Sequence, residues 1–409
     1  MDMKAKMRYE ERYGLGVAPM SIEDCVSPAY FAKEKELLFK RAWLFVGHVK
    51  DIPEIGSYFV KDLDVLDTSI IVTRGKDNKI NAFHNICTHR LNKIMKQGEG
   101  RAKAFTCQFH GWAFGLDGKL IHSSNENLFP DFRKEKLGLP TVHADVWQGF
   151  IFINVAKQPR QTLQDFLGEM GKRYDNYFED MELRGQWHID VNVNWKLFLD
   201  ANTEAYHAPT LHAKSLAGTV SSKDNPHCHF NDVQLFGKHR VASTYANPDY
   251  RPPAVEGMAA SYAKTPLYPA TSATTEKLPV GVNSTRNPLW IFDIAVFFPT
   301  FEVSTANGWF LIMMYWPLSE NKTRFEVRNY IYSPETAGDV ISQEFMLAHQ
   351  RDVLREDMST LEGTQQMLTS GVLKEMQICD EEITLRHNHM SVEQFMTEEE
   401  AWLKSVNIR

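Results

Sequence analysis

The sequence predicts an α+β protein in which a small antiparallel β domain is followed by a larger mixed domain. Between residues 43 and 155, short β-rich runs such as SYFV, TSIIVTR and GFIFINV alternate with turn signals. Between residues 291 and 334, the apolar runs IFDIAVFFP, FEVSTA, WFLIMMYWP and TRFEVRNYIYSP predict strands of a second antiparallel sheet. An amphipathic pattern over about 340–368 then predicts one long helix.

The sequence is predicted to divide into three segments. Residues 1–41 form an N-terminal helical segment, with helix predicted over 8–41 because of runs such as KEKELLFKRAW. The β domain covers 42–156 and the mixed domain 157–409. The mixed domain opens with a helix over 163–178 and continues with a strand that turns into a helix over 187–215. The proline-rich stretch 248–288 is predicted to be a lid or flexible loop.

Composition excludes several classes of protein. The 409 residues include 45 basic and 52 acidic side chains, and the net charge of −7 gives no attraction to nucleic acid or anionic lipid. The sequence contains no run of about 18 apolar residues, so no membrane span is predicted. The charged N-terminus does not resemble a secretory signal. Five dispersed cysteines form no disulfide framework, so we expect a protein of the reducing cytoplasm. A glycine-rich dinucleotide fingerprint is absent, so the chain has no evident NAD or flavin domain of its own.

Two Cys–His pairs predict a metal site in the β domain. Cys87 and His89 are spaced C-x-H, and Cys107 and His110 are spaced C-x-x-H. Two thiolates and two imidazoles can hold one tetrahedral zinc or two irons bridged by sulfide. One Cys and one His from each loop is the ligand set of a Rieske [2Fe–2S] cluster, in which two histidines bind one iron and raise the reduction potential. We therefore predict this cluster rather than zinc or unligated side chains.

A second set of metal ligands is predicted in the mixed domain. His207 and His212 would point about 140° apart on a straight helix, but Pro209 removes a backbone donor and should distort or end that helix. Asp357 lies in the middle of the apolar face of the long helix, where an unpaired carboxylate is costly. Its partner could be an arginine, or a metal held by two histidines and a carboxylate. That face is defined by Val353, Leu354, Met358 and Leu361.

Four motifs together resemble a known family. They are N-W-K at 194–196, E-x-Y-H-x-x-x-x-H at 204–212, E-D-x-x-x-x-E-x-x-Q at 356–365, and the Rieske signature with His89-Arg90 and His110-Gly111-Trp112. Over residues 8–370 the chain resembles the catalytic α subunit of Rieske non-haem iron oxygenases, the aromatic ring-hydroxylating dioxygenase family. The resemblance implies a Rieske β domain, a helix-grip (START-like) catalytic domain, and mononuclear Fe(II) bound by His207, His212 and Asp357. Leu91 departs from the family, which usually has glycine there.

The resemblance also implies a function and partners. O2 and electrons from NAD(P)H, delivered by a separate flavin reductase or ferredoxin, would be used to hydroxylate a hydrophobic, aromatic substrate by dihydroxylation, monohydroxylation or oxidative dealkylation. Glu204 would link an iron-ligand histidine to a Rieske histidine of the neighbouring chain in a homotrimer, with or without a β subunit. The family usually has Asp at that position, and Glu is also found in branches that oxidise quaternary amines. Monooxygenation of such an amine is therefore the alternative, and a non-enzymatic electron-transfer or binding protein is a remote one.

Overall fold

The chain folds into two compact units in a computed structural model that describes residues 8–96, 98–262 and 277–406. One unit contains the described residues of Glu34–Phe166 and Glu399–Arg409. The other contains those of Met1–Lys33 and Leu167–Glu398. Each unit is built around its own antiparallel sheet.

The first unit is almost entirely β. A π-helical turn (Lys35–Phe39) precedes a seven-stranded sheet with the order β2-β11-β10-β5-β4-β3-β6, beside which a small sheet has the order β7-β8-β9. The strands are β2 (Leu44–His48), β3 (Ser57–Leu63), β4 (Thr68–Arg74), β5 (Ile80–His84), β6 (Gly98–Arg101), β7 (Phe105–Thr106), β8 (Ala113–Phe114), β9 (Leu120–His122), β10 (Thr141–Trp147) and β11 (Phe150–Asn154). One core cluster includes Cys87, Cys107 and Trp112, so the predicted cluster loops are anchored in packed side chains.

The second unit contains a larger antiparallel sheet of seven strands, in the order β12-β18-β17-β16-β15-β14-β13. Its strands are β12 (Met181–Val191), β13 (Asp232–Phe236), β14 (His239–Tyr245), β15 (Trp290–Phe297), β16 (Phe301–Ala306), β17 (Trp309–Ser319) and β18 (Lys322–Tyr332). Burial alternates along most of β18, because successive side chains point to opposite faces of a sheet. A two-stranded ribbon pairs β1 (Met20–Ser21) with β19 (Glu375–Met376).

Helices complete this unit. They are α1 (Tyr9–Tyr13), α2 (Glu23–Val26), α3 (Pro28–Glu34), α4 (Leu163–Gly171, which begins in the first unit), α5 (Trp195–Asn202), α6 (Ala208–Leu211), α7 (Ala217–Val220), α8 (Ala254–Ser261), α9 (Ala337–Ser370) and α10 (Ile383–Ser405). Helix α9 begins in a capping box between Thr336 and Asp339 and ends at Gly371, whose φ of +67° suits glycine. No helix in the described ranges is long and apolar enough to cross a membrane.

The sequence predicted the fold class and most strands correctly, but two helical predictions need correction. The segment 8–41 is broken into short helices and a strand rather than one run. The helix predicted over 163–178 is interrupted at Gly168, which leaves helical geometry (φ +52°, ψ −139°), and it ends at Gly171, where turns follow. The proline-rich stretch 248–288 contains helix α8, and its part from 263 to 276 lies outside the described residues.

Candidate functional site

The two Cys–His loops have the same backbone design. The N–H of Leu91 donates to the carbonyl of Cys87 (2.9 Å), and the N–H of Gly111 donates to the carbonyl of Cys107 (3.0 Å). Both donors lie four residues after a cysteine and have positive φ, +60° for Leu91 and +71° for Gly111. Each loop therefore closes a tight turn that presents a cysteine and a histidine together.

The side chains of these loops converge. The rings of His89 and His110 have centroids 4.6 Å apart, and His89 stacks on Trp112 at 4.7 Å with an interplanar angle of 10°. Both cysteines are buried. Nδ1 of His89 is buried and has no hydrogen-bond partner among the described residues. A buried nitrogen left without a partner normally has a reason in the function of the protein.

The surroundings of the two thiols differ: they favour the thiolate at Cys107, whereas burial keeps the pKa of Cys87 above its ordinary value. Burial raises the pKa of Cys107, but the backbone N–H of Phe109 and the amide of Asn92 (Nδ2–Sγ 3.6 Å) outweigh burial and lower that pKa. Burial also raises the pKa of Cys87, and the backbone N–H of His89 acts in the opposite direction. Hydrogen bonds to sulfur are one of the means by which proteins tune iron–sulfur clusters. The four residues thus fit a Rieske cluster on their own chemistry.

The second predicted site is built where helix α5 ends. Asn194 caps the helix by accepting from the N–H of Lys196 (2.9 Å). The helix stops at Asn202, earlier than predicted, and Pro209 belongs to the first turn of α6 instead of distorting α5. His207 and His212 flank α6, so the break in the helix turns both rings toward one point. Their Nε2 atoms lie 3.0 Å apart.

Asp357 completes a compact triangle of donor atoms. Its Oδ1 lies 3.3 Å from Nε2 of His207 and 3.0 Å from Nε2 of His212. Donors that bind one ion at right angles, with bonds of about 2.1 Å, are about 3 Å from one another. Three donors on one face of an ion are the facial arrangement of two histidines and a carboxylate. The spacing therefore fits a mononuclear iron, and the buried face of α9 carries Asp357 to it while Asp352 stays exposed.

Two further carboxylates orient the imidazoles. Nδ1 of His207 hydrogen-bonds Glu204, whose carboxylate also accepts from the backbone N–H of His207 (3.2 Å). Nδ1 of His212 is 2.8 Å from Oε2 of Glu356, which accepts from Ser215 as well. A carboxylate on Nδ1 sets the tautomer and leaves Nε2 for a metal. Glu356 was not predicted as a site residue, although it precedes Asp357 in the E-D motif.

The electrostatics of the triangle also favour a cation. Burial lowers the pKa of His207, but hydrogen bonds to Asp357 and Glu204 outweigh burial and raise it to about 10. Burial likewise lowers the pKa of His212, yet Asp357 and Glu356 raise it overall. Burial raises the pKa of Asp357, but the two histidines lower it. The carboxylates that stabilise protons on these rings would equally stabilise a metal ion in their place.

Helix α9 is fastened to the start of α5 by two other residues of its motif. Glu362 accepts from the backbone N–H and the side-chain amide of Asn192, at 3.0 and 2.9 Å. Gln365 accepts from the backbone N–H of Asn194 at 2.8 Å. These bonds fix α9 along the segment that leads to the histidines, and so they set the position of Asp357.

Beside the triangle lies a cavity with an empty volume of about 1140 Å³, its open mouth included. Its walls come from the large sheet and from helices α5, α6, α7 and α9. Most of the lining side chains are apolar or aromatic. They include Val220, Phe230, Ile291, Phe292, Ile294, Trp309, Leu311, Met313, Phe345, Met346 and Leu354. The three candidate iron ligands open onto this space.

Family models match both units. Residues 42–133 match the Rieske [2Fe–2S] domain, and residues 178–398, more than half of the chain, match the ring hydroxylating alpha subunit (catalytic domain). The chain belongs to the ring-hydroxylating alpha subunit family. This confirms the predicted family, and with it the predicted cofactors: a Rieske cluster and a mononuclear iron.

Curated relatives of this ring-hydroxylating alpha subunit are similar over part of their length. It is 32% identical over 198 residues to the glycine betaine monooxygenase oxygenase subunit of Chromohalobacter salexigens, covering 48% of this chain and 44% of that protein. It is 33% identical over 187 residues to the carnitine monooxygenase oxygenase subunit of Escherichia coli K12, covering 44% of this chain and 49% of that protein. The chain thus spans about half the length of the curated relatives it matches.

Solved structures confirm the fold over nearly the whole chain. A quaternary ammonium Rieske monooxygenase superposes with a TM-score of 0.75 at 20% identity, over 96% of this chain and 99% of that chain. Naphthalene 1,2-dioxygenase with indole in its active site superposes with a TM-score of 0.70 at 20% identity, over 95% of each chain.

The remaining cysteines belong to neither predicted ligand set. Cys25 and Cys228 are buried, and Cys379 is exposed. His389 is buried between Asp24 (Nδ1–Oδ2 2.6 Å) and Asp200 (Nε2–Oδ2 2.7 Å). Two carboxylates already occupy both of its nitrogens, so we interpret it as part of a buried ionic network.

Proposed function

We propose that this chain is the oxygenase component of a Rieske-type system that uses O2 and electrons from NAD(P)H, delivered by a separate flavin reductase or ferredoxin. The observation that carries the proposal is the triangle of His207, His212 and Asp357, with its three donor atoms 3.0–3.3 Å apart. Three protein ligands on one side of an ion leave the other side open to O2 and substrate.

In this proposal the protein supplies position and environment. An iron bound there supplies the activation of O2. His207, His212 and Asp357 hold it, and Glu204 and Glu356 keep the two imidazoles in the metal-binding tautomer. The apolar cavity walls bind the carbon skeleton of the substrate and exclude water from the reacting atoms. Cys87, His89, Cys107 and His110 would hold the cluster through which the electrons arrive.

The substrate we favour is an organic amine, oxidised by a monooxygenase reaction. Support comes from the relatives named for glycine betaine and carnitine, both of which are quaternary amines, and from Glu204 in place of the usual Asp. Aromatic ring hydroxylation is the second candidate, because Phe230, Phe292, Trp309 and Phe345 line the cavity.

A role limited to electron transfer or ligand binding is the third and least supported candidate. Neither activity needs three metal donors that converge beside a large cavity.

The test of the proposed function is the removal of one ligand. Asp357→Ala is expected to keep the visible spectrum of the cluster, lose the second iron and lose product formation, measured by anaerobic iron loading and mass spectrometry of products from a panel of amines and aromatics. Asp352→Ala is the matched control, since Asp352 is on the same helix and exposed. Normal turnover in Asp357→Ala, or loss of turnover in Asp352→Ala, would contradict the assignment.

A further inference from the structure

A buried carboxyl group on β16 lies in the wall of the cavity without a full set of partners. The side chain of Glu302 is fully buried and belongs to the cavity wall. Its Oε2 accepts a hydrogen bond from the hydroxyl of Tyr315 at 2.7 Å. Its Oε1 is buried and has no hydrogen-bond partner in the part of the chain that the structure describes. A buried oxygen left unpaired costs free energy, so such an arrangement calls for a ligand.

The sheet register places an arginine on the same face as Glu302. Arg240, Val296 and Glu302 are directly paired in a row across three neighbouring strands, so Arg240 and Glu302 share one face of the sheet. The guanidinium of Arg240 is buried and, among the described residues, has no hydrogen-bond partner. The two residues thus lie two strands apart on one face, with no hydrogen bond between them. Burial raises the pKa of Glu302 to about 8, against the smaller effects of Tyr315 and Arg240.

Apart from the histidines, the ionisable side chains of the described cavity wall are acidic. Three carboxyl groups line the described cavity: Glu204, Glu302 and Asp357. No lysine or arginine is among the described lining residues. Glu204 and Asp357 already bind the histidines. Glu302 is therefore the carboxyl group of this wall that remains available to a ligand.

We propose that Glu302 binds a positively charged nitrogen of the substrate and so positions the carbon beside that nitrogen for oxidation. The inference rests on the proposed function and deepens it, because it names the residue that selects cationic amines over neutral compounds of the same shape. Phe292 and Trp309, whose ring centroids are 6.3 Å apart, both pair with Ala306 of β16. Ala306 and Glu302 are on the same face of the sheet, so the two aromatic rings line the space for the remainder of the substrate. Burial keeps the pKa of Glu302 high when no cation lies beside it, but a bound cation would favour the charged carboxylate. The attraction between the two charges is then strong, since little water screens them in an apolar cavity.

The experiment compares a cation with its neutral carbon isostere. Anaerobic calorimetry on the protein loaded with both metals measures the affinity for choline and for 3,3-dimethylbutan-1-ol, in which carbon replaces the nitrogen. Wild type is expected to prefer choline. Glu302→Gln keeps an acceptor for Tyr315 and is expected to weaken choline binding by about 30-fold or more, with the neutral alcohol unchanged.

Glu256→Gln is the matched control. Glu256 is also buried and accepts from a tyrosine, Tyr250 (3.0 and 2.9 Å), but it does not line the cavity. It should leave both affinities unchanged.

Three results would overturn the inference: no preference for choline in the wild type, equal loss of both ligands in Glu302→Gln, or the same loss in Glu256→Gln. The proposed function is judged separately, by iron content and by O2-dependent product formation with the full substrate panel. If one of these three results were found and a neutral substrate were still turned over, the oxygenase assignment would stand and only the role of Glu302 would be rejected. Absence of turnover with every compound in a fully loaded protein would reject the oxygenase assignment itself.

Discussion

At the scale of single residues, Leu91 shows how a cluster loop tolerates an unfavourable side chain. It occupies the same place in its turn as Gly111 does in the other loop, and both have positive φ. A left-handed conformation costs a residue with Cβ about 1–2 kcal/mol. The side chain of Leu91 is 72% exposed, so its burial returns little of that cost.

Leu91→Gly should therefore stabilise the β domain. Glycine removes the conformational penalty but adds chain entropy to the unfolded state, about 0.5–1 kcal/mol, so the net gain is about 0.5–1 kcal/mol. The measurement is the urea midpoint followed by the visible absorbance of the cluster. Leu91→Ala, which keeps Cβ, should show no such gain; equal stabilisation by alanine would refute the explanation.

Glu356 gives a second prediction at this scale. Glu356→Ala removes the acceptor for Nδ1 of His212. Because loss of such a partner leaves the imidazole less well oriented, we expect the affinity for Fe(II) to fall about 10–100-fold. A competition titration of Fe(II) against a chelator measures the effect, while the cluster absorbance should not change. Glu344→Ala, at an exposed position on the same helix, should keep normal iron affinity. Unchanged affinity in Glu356→Ala would show that Glu356 does not support the site.

At the scale of elements, buried ionic contacts join helices that are far apart in the chain. Helix α10 reaches α2 and α5 through His389, which lies between Asp24 and Asp200. Burial lowers the pKa of His389, but the two carboxylates raise it from its ordinary 6.5 to about 10. Burial raises the pKa of Asp24, but His389 lowers it from 3.8 to about 2. His389 and Asp24 are thus both charged at neutral pH.

This predicts a pH dependence of stability. A group whose folded pKa is raised stabilises the protein fully below its unfolded pKa and loses that contribution as pH rises to the folded pKa. The destabilisation caused by His389→Gln should therefore shrink between pH 7 and pH 10, measured by urea midpoints followed by tryptophan fluorescence.

His387→Gln is the matched control on the same helix. Burial lowers the pKa of His387 to about 3, so this residue is neutral at neutral and alkaline pH. The effect of His387→Gln should not vary over that range. A constant effect of His389→Gln from pH 7 to pH 10 would contradict the ionic interpretation.

At the scale of the whole molecule, Glu204 raises the question of how electrons reach the iron. The cluster residues and the iron residues lie in different compact units of the chain. Glu204 hydrogen-bonds one ligand of the iron, His207. We propose that it also accepts from His89 or His110 of a neighbouring chain, in a homotrimer with head-to-tail contacts that close into a ring.

Glu204→Gln tests this proposal. Both metal contents should stay normal, whereas reoxidation of the reduced cluster in a single turnover should slow by about tenfold or more, because a neutral amide pairs less strongly with an imidazole N–H. Light scattering on wild type should give the mass of three chains. A fully active monomer, or an unchanged reoxidation rate, would refute the bridging role.

Local spacing, helical periodicity and the family resemblance predicted the metal-binding residues, and the structure brings the members of each set close together. Cys87, His89, Cys107 and His110 stand close together in the sequence within short loops, and His207 and His212 are separated by one distorted turn. Asp357 could be predicted because a carboxylate on an apolar helix face needs a partner. The end of α5 could not, since the chain leaves the helix at Asn202, before Pro209 forces it to.

The sequence by itself determined the fold class and the family and predicted the two ligand sets, because each depends on residues of a given type in recognisable local motifs. Only the tertiary structure decided the environment of those ligands. His212 and Glu356 are 144 residues apart, and Asp200 and His389 are 189 residues apart. Glu302 looks like an ordinary strand residue until the sheet places it on a cavity wall with one oxygen unpaired. Such contacts arise from packing between distant elements, and no periodicity along the chain records which elements will meet.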